Sequence, residues 1–276
     1  MTFSIVARSA DGRTHGIAVA SKFLAVGAAV PAAEAEVGAV ATQAHANLAY
    51  RPQGLALLRT GVDPAGVVAG LTAADGGRAQ RQVGVVGATG DGATFTGDGC
   101  HAWAGGVAGD GFAIQGNILT GPEVVEEMRA AWLASDPADA LARRLLAALR
   151  AGDTAGGDRR GRQSAALLVV AEGQGYGGTS DVVVDLRVDD HAEPVPELAR
   201  LLDVHDLLFG KPDPATLLAL EGALAAEVRG RLVAAGHEGG SLDDALASWA
   251  GVENLEERLV PGQIDPLVLS HLRQAP

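Results

Sequence analysis

The amino-acid sequence predicts an α+β protein, a four-layer αββα sandwich followed by a small helical domain. Two observations predict this class. Strand-like and helix-like segments come in separate blocks, which favours an α+β domain over a doubly wound one. The strand-like runs are also apolar almost throughout, as expected of strands that are covered on both faces. Antiparallel strands buried in this way between helices would form a four-layer sandwich.

The first block is made of strands. Three apolar runs, 3–8, 15–26 and 37–43, predict them, and the turn residues Asp11-Gly12 separate the first two. Lys22 is the only charged side chain of the second run. A lysine inside a covered strand is costly unless it is paired or functional.

Helices begin the second block, at 52–59 and 63–74, where leucine and valine recur every three to four residues. Asp63 before Pro64 predicts an N-cap followed by proline at the first helical position. The remaining predicted elements of the larger domain are strands at 81–88, 93–97 and 111–119, helices at 121–135 and 136–151, strands at 164–171 and 181–188, and a helix at 197–208.

A linker, 210–214, divides the chain into predicted domains at 1–210 and 211–276. The tail shows helical patterns at 215–235, 241–251 and 261–274, and no strand is predicted there.

Charge and composition exclude several classes of protein. The net charge is −13, from 21 basic and 34 acidic residues, so we expect no nucleic-acid or membrane partner. Cys100 is the single cysteine, so neither an intramolecular disulfide nor a cysteine zinc site can form. We see no secretory signal and no membrane span, and expect a cytoplasmic protein.

Thr2 is the first candidate functional residue. Its small side chain favours removal of Met1, and the mature chain would then begin with a hydroxyl nucleophile that carries a free α-amine. That amine has a reference pKa of about 7.7–8.0, so it can act as a base near neutral pH. The alternative is an ordinary second residue without a catalytic role.

Several separated motifs make the sequence specific enough to identify a family. The segments that carry the resemblance are Thr2–Val6 (TFSIV), Gly16–Gly27 (GIAVASKFLAVG), Val37–Gln43 (VGAVATQ), Gln115–Leu119 (QGNIL), Gly156–Val170 (GGDRRGRQSAALLVV) and Val184–His191 (VDLRVDDH). They resemble domain-of-unknown-function family 1028 across about residues 2–210. The resemblance implies the N-terminal-nucleophile (Ntn) hydrolase fold and hydrolysis of an amide bond.

The resemblance also implies roles for single residues. Thr2 would be the nucleophile, and Lys22 would be the cation that lowers the pKa of its amine. Lys22 reaching to solvent from a strand end is the alternative. Gln43 and Asn117 would stabilise the oxyanion, with Asn47 and Gln115 beside the substrate. Turn formation and strand-edge capping are the alternative for these amides.

A second group of candidates lies in and near a glycine-rich basic loop. Arginines of this loop could bind a substrate carboxylate or phosphate, or could simply pair with acidic neighbours. The predicted substrate-binding residues of this group are Arg162, Gln163, Ser164 and Asp190. Asp189-Asp190-His191 lacks the ligand spacing of a metal site, so we expect neither a metal nor a cofactor.

The tail resembles a small domain described as peptidoglycan-binding, through 243–258 and 264–273. This resemblance implies a cell-wall glycan ligand, but a cytoplasmic chain favours a packing module.

The sequence therefore predicts an amidohydrolase acting on a small or peptide-like substrate, and the tendency of the superfamily to form oligomers favours a homodimer. The rivals are a catalytically inactive binding or assembly protein, and an enzyme whose site lies around Arg162, Gln163 and Asp190.

Overall fold

The structure is a computed structural model that describes residues 2–274, and it is an α+β protein with antiparallel sheets and a helical C-terminal region. This confirms the predicted α+β class. The chain divides into two compact units between Arg200 and Leu201. The predicted domain boundary after residue 210 stays a prediction. Among the described residues, none of the helices combines the length and apolar character needed to cross a membrane.

The larger unit contains ten strands and six helices within the described residues, the last helix extending past Arg200. The strands are β1 (Thr2–Arg8), β2 (His15–Ser21), β3 (Pro31–Glu34), β4 (Gly38–Ala44), β5 (Arg81–Gly87), β6 (Ala93–Thr96), β7 (Gly105–Gly109), β8 (Phe112–Asn117), β9 (Ser164–Val170) and β10 (Val182–Val188). The helices are α1 (Val26–Ala29), α2 (Tyr50–Arg59), α3 (Pro64–Ala73), α4 (Glu123–Ala134), α5 (Leu141–Thr154) and α6 (Pro194–Phe209).

Two antiparallel sheets organise this unit. The first has the strand order β10-β9-β2-β1-β8-β7, so β1 lies near its centre, and the second has the order β3-β4-β5-β6. In the first sheet Val6 lies opposite both Ile17 and Ala113. Residues directly opposite each other in antiparallel strands share a face. Together with Ala39 and Val86 of the second sheet, these side chains form one buried apolar cluster. This cluster is the apolar part of the core between the two sheets, which we call the apolar half.

Helices cover the other face of each sheet. In α5, Leu145 and Leu149 are fully buried, and Gly16 of β2 lets the helix approach closely. A Cβ atom at Gly16 would lie 2.7 Å from a methyl carbon of Leu145. On the second sheet, α2 and α3 bury Leu58 and Val67 against β4 and β5. These helices therefore complete the cores of both sheets.

The smaller unit has its own apolar core. It contains α7 (Gly222–Ala234), α8 (Leu242–Glu253), α9 (Pro266–Gln274) and the short pair β11 (Leu218–Ala219) and β12 (Gln263–Ile264). Trp249 is the largest side chain buried in it. Arg258 is also buried, and it donates to Asp265 Oδ2 at 2.6 Å and to the carbonyl of Leu207 at 2.6 Å. The buried guanidinium therefore has the partners that burial of a charge requires.

Local chemistry accounts for the elements that were predicted well or badly. Asp63 Oδ1 accepts a hydrogen bond from the Gly66 N–H at 2.7 Å, which confirms the predicted N-cap of α3. The helix predicted from 136 begins at Leu141 instead, because Asp136 forms a turn by accepting from the Ala138 N–H at 2.9 Å.

The tail departs from prediction in two ways. The helix predicted from 215 begins only at Gly222, since Asp213 forms a similar turn with the Ala215 N–H at 2.9 Å. The expectation of no strand in the tail was also wrong, because β11 and β12 pair there over two residues each. Strands this short leave no period in the sequence that could reveal them.

Candidate functional site

Thr2 is the first residue of the near-central strand β1 and is only 6% exposed. Phe3 lies opposite Ala20, so the register continues to place Ser21 beside Thr2. The two hydroxyl oxygens are 3.0 Å apart, within hydrogen-bonding distance. Met1, whose removal the sequence predicts, lies outside the described residues.

Two buried amide side chains hold the backbone of Thr2. Gln43 of β4 donates from Nε2 to the Thr2 carbonyl oxygen at 3.3 Å. Asn117, which lies opposite Thr2 in β8, donates from Nδ2 to the same oxygen at 3.5 Å. Both side chains are at most 2% exposed. The structure therefore brings together three of the four residues predicted to be catalytic.

These amides belong to a larger buried network between the sheets, which we call the amide cluster: Ser4, Gln43, Gln82, Gln115 and Asn117. Its hydrogen bonds run in one direction. Gln115 Nε2 donates to Ser4 Oγ at 2.7 Å, Ser4 Oγ to Gln43 Oε1 at 2.6 Å, and Gln43 Nε2 to Gln82 Oε1 at 2.8 Å. Gln82 Nε2 then donates to the Gly116 carbonyl at 2.7 Å. Because buried amides are costly when unpaired, these bonds define the orientation of Gln43 and Gln82, whereas Gln115 Oε1 is buried without a partner among the described residues.

The bonds of the amide cluster limit what Gln43 and Asn117 can do. Besides the Thr2 carbonyl, Asn117 Nδ2 donates to Gln82 Oε1 at 2.9 Å, and Gln43 Nε2 lies 3.3 Å from the Gln115 carbonyl. A primary amide has two hydrogens, so those of both residues go to protein acceptors. In this arrangement the two amides hold the start of β1 in place. The oxyanion role predicted for them stays a prediction.

Strained backbone surrounds the same strand ends. Ala44, the last residue of β4, and Ile118, directly after β8, have left-handed φ angles of 67° and 52°, and Ala25 has a φ of 53°. For a β-branched residue such as Ile118 this conformation is a genuine outlier. Such residues cost about 1–3 kcal/mol each and cluster at functional sites. The two other described non-glycine residues with left-handed φ, Glu36 and Asn254, lie in a turn and at a helix C-cap.

The segment after β2 differs from the prediction. The strand ends at Ser21, so Lys22 lies outside it, and its side chain is exposed, with Nζ donating to the Arg162 carbonyl at 3.2 Å. The expectation that Lys22 is buried in a covered strand was wrong, because β2 ends at Ser21 and the Lys22 backbone N–H donates to the Asp158 carboxylate. The predicted effect of Lys22 on the pKa of the Thr2 amine stays a prediction. It now depends on the position of Lys22 directly after Ser21, whose hydroxyl contacts that of Thr2.

Two buried side chains anchor that segment. Asp158 Oδ2 accepts from the Lys22 backbone N–H at 2.7 Å. Ser164 accepts from the Val26 N–H at 3.1 Å and donates from Oγ to the Phe23 carbonyl. Ser164, predicted to contact substrate, is thus placed to fix the backbone beside Ser21.

A cavity of about 140 Å³ opens beside Ser21. Phe3 and Ala20 line it from the sheet, and Arg162 lines it from the glycine-rich loop. Arg162 Nε donates to Asp153 Oδ1 at 2.8 Å, and this carboxylate raises the pKa of the guanidinium further above its already high value. Since Ser21 contacts Thr2, the Thr2 hydroxyl is one hydrogen bond away from the cavity wall.

Asn47 is directed to a different cluster. Its Nδ2 donates to Asp75 Oδ2 at 3.2 Å, and Tyr50 and Arg81 donate to the same oxygen, each at 2.9 Å. The hydrogen bond from Arg81, followed by that from the Gly77 N–H, holds the pKa of Asp75 well below its usual range. Burial, and then the bond to Asp75, raises the pKa of Tyr50 to about 12. We infer that these hydrogen bonds stabilise the start of α2.

Gln163 and Asp190 pair with each other. Gln163 Nε2 donates to Asp190 Oδ1 at 3.2 Å, and the Gln163 carbonyl accepts from the His191 N–H at 2.8 Å. This pairing ties the start of β9 to the end of β10. Across residues 2–274, no group of three or more His, Cys, Asp or Glu side chains is placed to hold a metal ion.

Sequence reasoning missed two residues of the site. Ser21 is revealed by the antiparallel register of β1 and β2, which a turn signal alone does not define. Gln82 is a polar residue near the start of an apolar run, and only the pairing of the sheets shows that it bonds both Gln43 and Asn117. For Gln82 the signal was a polar residue near the start of a strand-like run, whereas Ser21 lies within the predicted run 15–26 and gave no such signal.

Comparison with known proteins gives matches to both parts of the chain. The model described as "Family of unknown function (DUF1028)" matches residues 2–198, and the one described as "Putative peptidoglycan binding domain" matches residues 208–272. The crystal structure of protein SPO2555 from Silicibacter pomeroyi, of the DUF1028 family model, is 31% identical, with a TM-score of 0.66. The match covers 82% of this chain and 92% of that one. None of the curated proteins matches.

Proposed function

The chain belongs to the DUF1028 family, and from this premise we propose that it is an N-terminal-nucleophile amidohydrolase whose nucleophile is Thr2. The substrate is a small or peptide-like amide. The observation that carries the proposal is the setting of Thr2: a threonine that begins a near-central strand, has its carbonyl held by two buried amides, and contacts a serine that lines a cavity.

The fold supports the proposal at a coarser level. Two antiparallel sheets share one buried core, and helices pack on their outer faces. We take this as a four-layer αββα sandwich, the fold of the Ntn hydrolases that the family resemblance implies. In that fold the nucleophile begins a strand of a central sheet, as Thr2 begins β1.

The proposed reaction begins once every residue before Thr2 has been removed. The freed α-amine, with a reference pKa of about 7.7–8.0, takes the proton of the Thr2 hydroxyl. Oγ1 attacks the carbonyl carbon of the substrate, and the tetrahedral intermediate expels the amine, which leaves with the proton held by the α-ammonium. Water, activated by the same amine, hydrolyses the resulting ester and regenerates the hydroxyl.

Neighbouring residues position the nucleophile. Ser21 restricts the rotation of the Thr2 side chain through the contact of 3.0 Å between their hydroxyls. Gln43 and Asn117 fix the Thr2 backbone, and Lys22 lowers the pKa of the α-amine by its positive charge. Because these groups are set before the substrate arrives, little reorganisation is needed during the reaction.

The test combines intact-mass measurement with two variants. We expect the mature protein to begin at Thr2, Thr2→Ser to retain turnover of an amide library, and Thr2→Ala to lose it by at least about 10³-fold, as for removal of a nucleophile. An active protein that retains Met1 would overturn the proposal. Unchanged turnover by Thr2→Ala would favour a site around Arg162, Gln163 and Asp190.

One observation favours a second candidate, a binding or assembly protein that lacks catalysis. The C-terminal unit has its own buried core, and the peptidoglycan-binding model matches it over residues 208–272. In that case wild-type protein with a free Thr2 amine would hydrolyse no member of the library, and a cell-wall glycan would bind to the intact chain.

A further inference from the structure

The cavity beside Ser21 combines apolar surface with three charged side chains. Phe3, Ala20 and Pro194 supply the apolar surface, and Asp153, Asp158 and the Arg162 guanidinium line the same space. We propose that this cavity binds a short aliphatic chain ending in a carboxylate, with Arg162 receiving the carboxylate. As the acyl pocket of the enzyme it rests on the proposed function, and it makes the substrate an amide whose acyl part carries an acidic end.

The size of the cavity limits the ligand. Its volume is about 140 Å³, well below the ~300–1,000 Å³ typical of pockets for drug-sized ligands. A chain of a few carbon atoms with a terminal polar group fits that space, whereas a peptide or sugar ring system does not. Gly156 and Gly161 add no side chains to the cavity, so Asp158 and Arg162 are the loop side chains that line it.

Two carboxylates and one guanidinium line the cavity, and both carboxylates already have hydrogen-bond partners. The Asp158 carboxylate is already satisfied, since its oxygens accept from the backbone N–H groups of Lys22 at 2.7 Å and Arg160 at 2.8 Å. Asp153 engages Arg162 only through Nε. A guanidinium has five N–H donors, so its terminal nitrogens remain to bind a carboxylate. The Lys22 ammonium, 3.2 Å from the Arg162 carbonyl, adds positive charge on the same side.

Butyrate and butyramide are matched probes for this inference. They share shape and chain length, and only butyrate is charged. Isothermal titration calorimetry of the full chain should show butyrate binding about tenfold to a hundredfold more tightly, the range for a hydrogen bond to a charged group. Arg162→Gln should abolish this preference, whereas Arg159→Gln, the same change on an exposed arginine of the same loop, should keep it.

A variant that binds butyrate more tightly than wild type cannot be explained by misfolding, so it complements the loss expected in Arg162→Gln. Asp153→Asn releases Arg162 from its ion pair, so we expect butyrate to bind several-fold more tightly to this variant while butyramide is unaffected. Equal binding of the two probes to wild type would overturn the inference. An equal loss of preference in Arg159→Gln and Arg162→Gln would also overturn it, because the effect would then be the general charge of the loop.

The same probes separate this inference from the proposed function. Thr2→Ala should still prefer butyrate, because Thr2 reaches the cavity only through Ser21. A butyrate preference with no amide turnover would reject the proposed function alone. Turnover by Thr2 without any preference for acidic acyl groups or for butyrate would reject this inference alone.

Discussion

The two halves of the inter-sheet core are built from the same strands with opposite chemistry. At one end, β1, β4 and β8 contribute the apolar Val6, Ala39 and Ala113. At the other end the same three strands, together with β5, contribute the amide cluster. Both halves are equally buried, so burial alone does not separate a structural end from a functional one. What differs is that the amide cluster is held by directional hydrogen bonds, with Gln115 Oε1 buried without a partner among the described residues, and that it touches Thr2.

The difference has an energetic side. Apolar burial stabilises by roughly 25 cal/mol per Å² in any orientation of the side chains. A buried hydrogen bond contributes only about 1 kcal/mol net, but an unsatisfied partner costs about 1–3 kcal/mol. The apolar half should therefore tolerate small changes, whereas the amide cluster should respond sharply to the loss of one member.

Replacement of Gln82 should have the largest effect. Gln82→Leu removes the acceptor shared by Gln43 and Asn117 and leaves two buried N–H groups without that partner. We expect the free energy of unfolding to fall by about 2–6 kcal/mol, measured by urea denaturation. Ile17→Val in the apolar half is the control and should cost only about 0.5–1.5 kcal/mol. Similar losses in the two variants would mean that the halves do not differ in the way described.

His15 should make the stability depend on pH. It lies in β2 on the face shared with Ile17, fully buried, and neither ring nitrogen has a hydrogen-bond partner among the described residues. Burial, and then the nearby Arg8, lowers its pKa to about 4 from an ordinary value of 6.5. The unfolded chain therefore binds more protons, and stability that is complete above pH 6.5 is lost as the pH falls towards 4.

We expect this loss to be about 3 kcal/mol between pH 7 and pH 4, beyond the change in a variant without the imidazole. His15→Leu is that variant, and urea denaturation at several pH values measures the difference. Parallel pH profiles for the two proteins would show that His15 contributes nothing to it.

Gly84 should give the smallest of the three effects. A Cβ atom at this position would lie 2.1 Å from Gln115 Oε1, so Gly84→Ala must displace that side chain. We expect a loss of about 1–3 kcal/mol in unfolding free energy, the usual cost of overpacking. Gly230→Ala is the control, because Gly230 lies exposed in helix α7 with nothing within 4 Å. It should stabilise by about 0.4–1 kcal/mol. A neutral Gly84→Ala would mean that Gln115 moves freely.

The sequence predicted the class of the fold and most strands of the larger unit, but it missed β3 and β7 and did not define how the strands pair. Local chemistry sufficed for Asp63, because an N-cap is made within four residues. Gln43 and Asn117 were identified as polar strand ends, but their shared partner Gln82 lies in a third strand. No local pattern defines which strand ends meet, since that depends on the packing of two sheets.

Two predictions about side chains show the same limit. Lys22 was expected in a covered strand, yet β2 ends at Ser21, and the Asp158 carboxylate, distant in sequence, binds the Lys22 backbone N–H. The Asn47 side chain binds the Asp75 carboxylate, which is also distant in sequence, and its predicted contact with substrate stays a prediction. Both outcomes depend on contacts between segments far apart in the chain, which no window of residues contains.

The one-way order of the amide cluster constrains how this protein can evolve. Its chain of donors extends to Thr96 Oγ1, which accepts from Gln82 Nε2 at 2.8 Å on the outermost strand of the second sheet. In the apolar half, one apolar residue can be replaced by a similar one without a second substitution. In the amide cluster, a substitution that exchanges a donor for an acceptor also requires its hydrogen-bond partners to change. Change in this half should therefore come as compensated sets, and descendants should differ by several of these positions at once or by none.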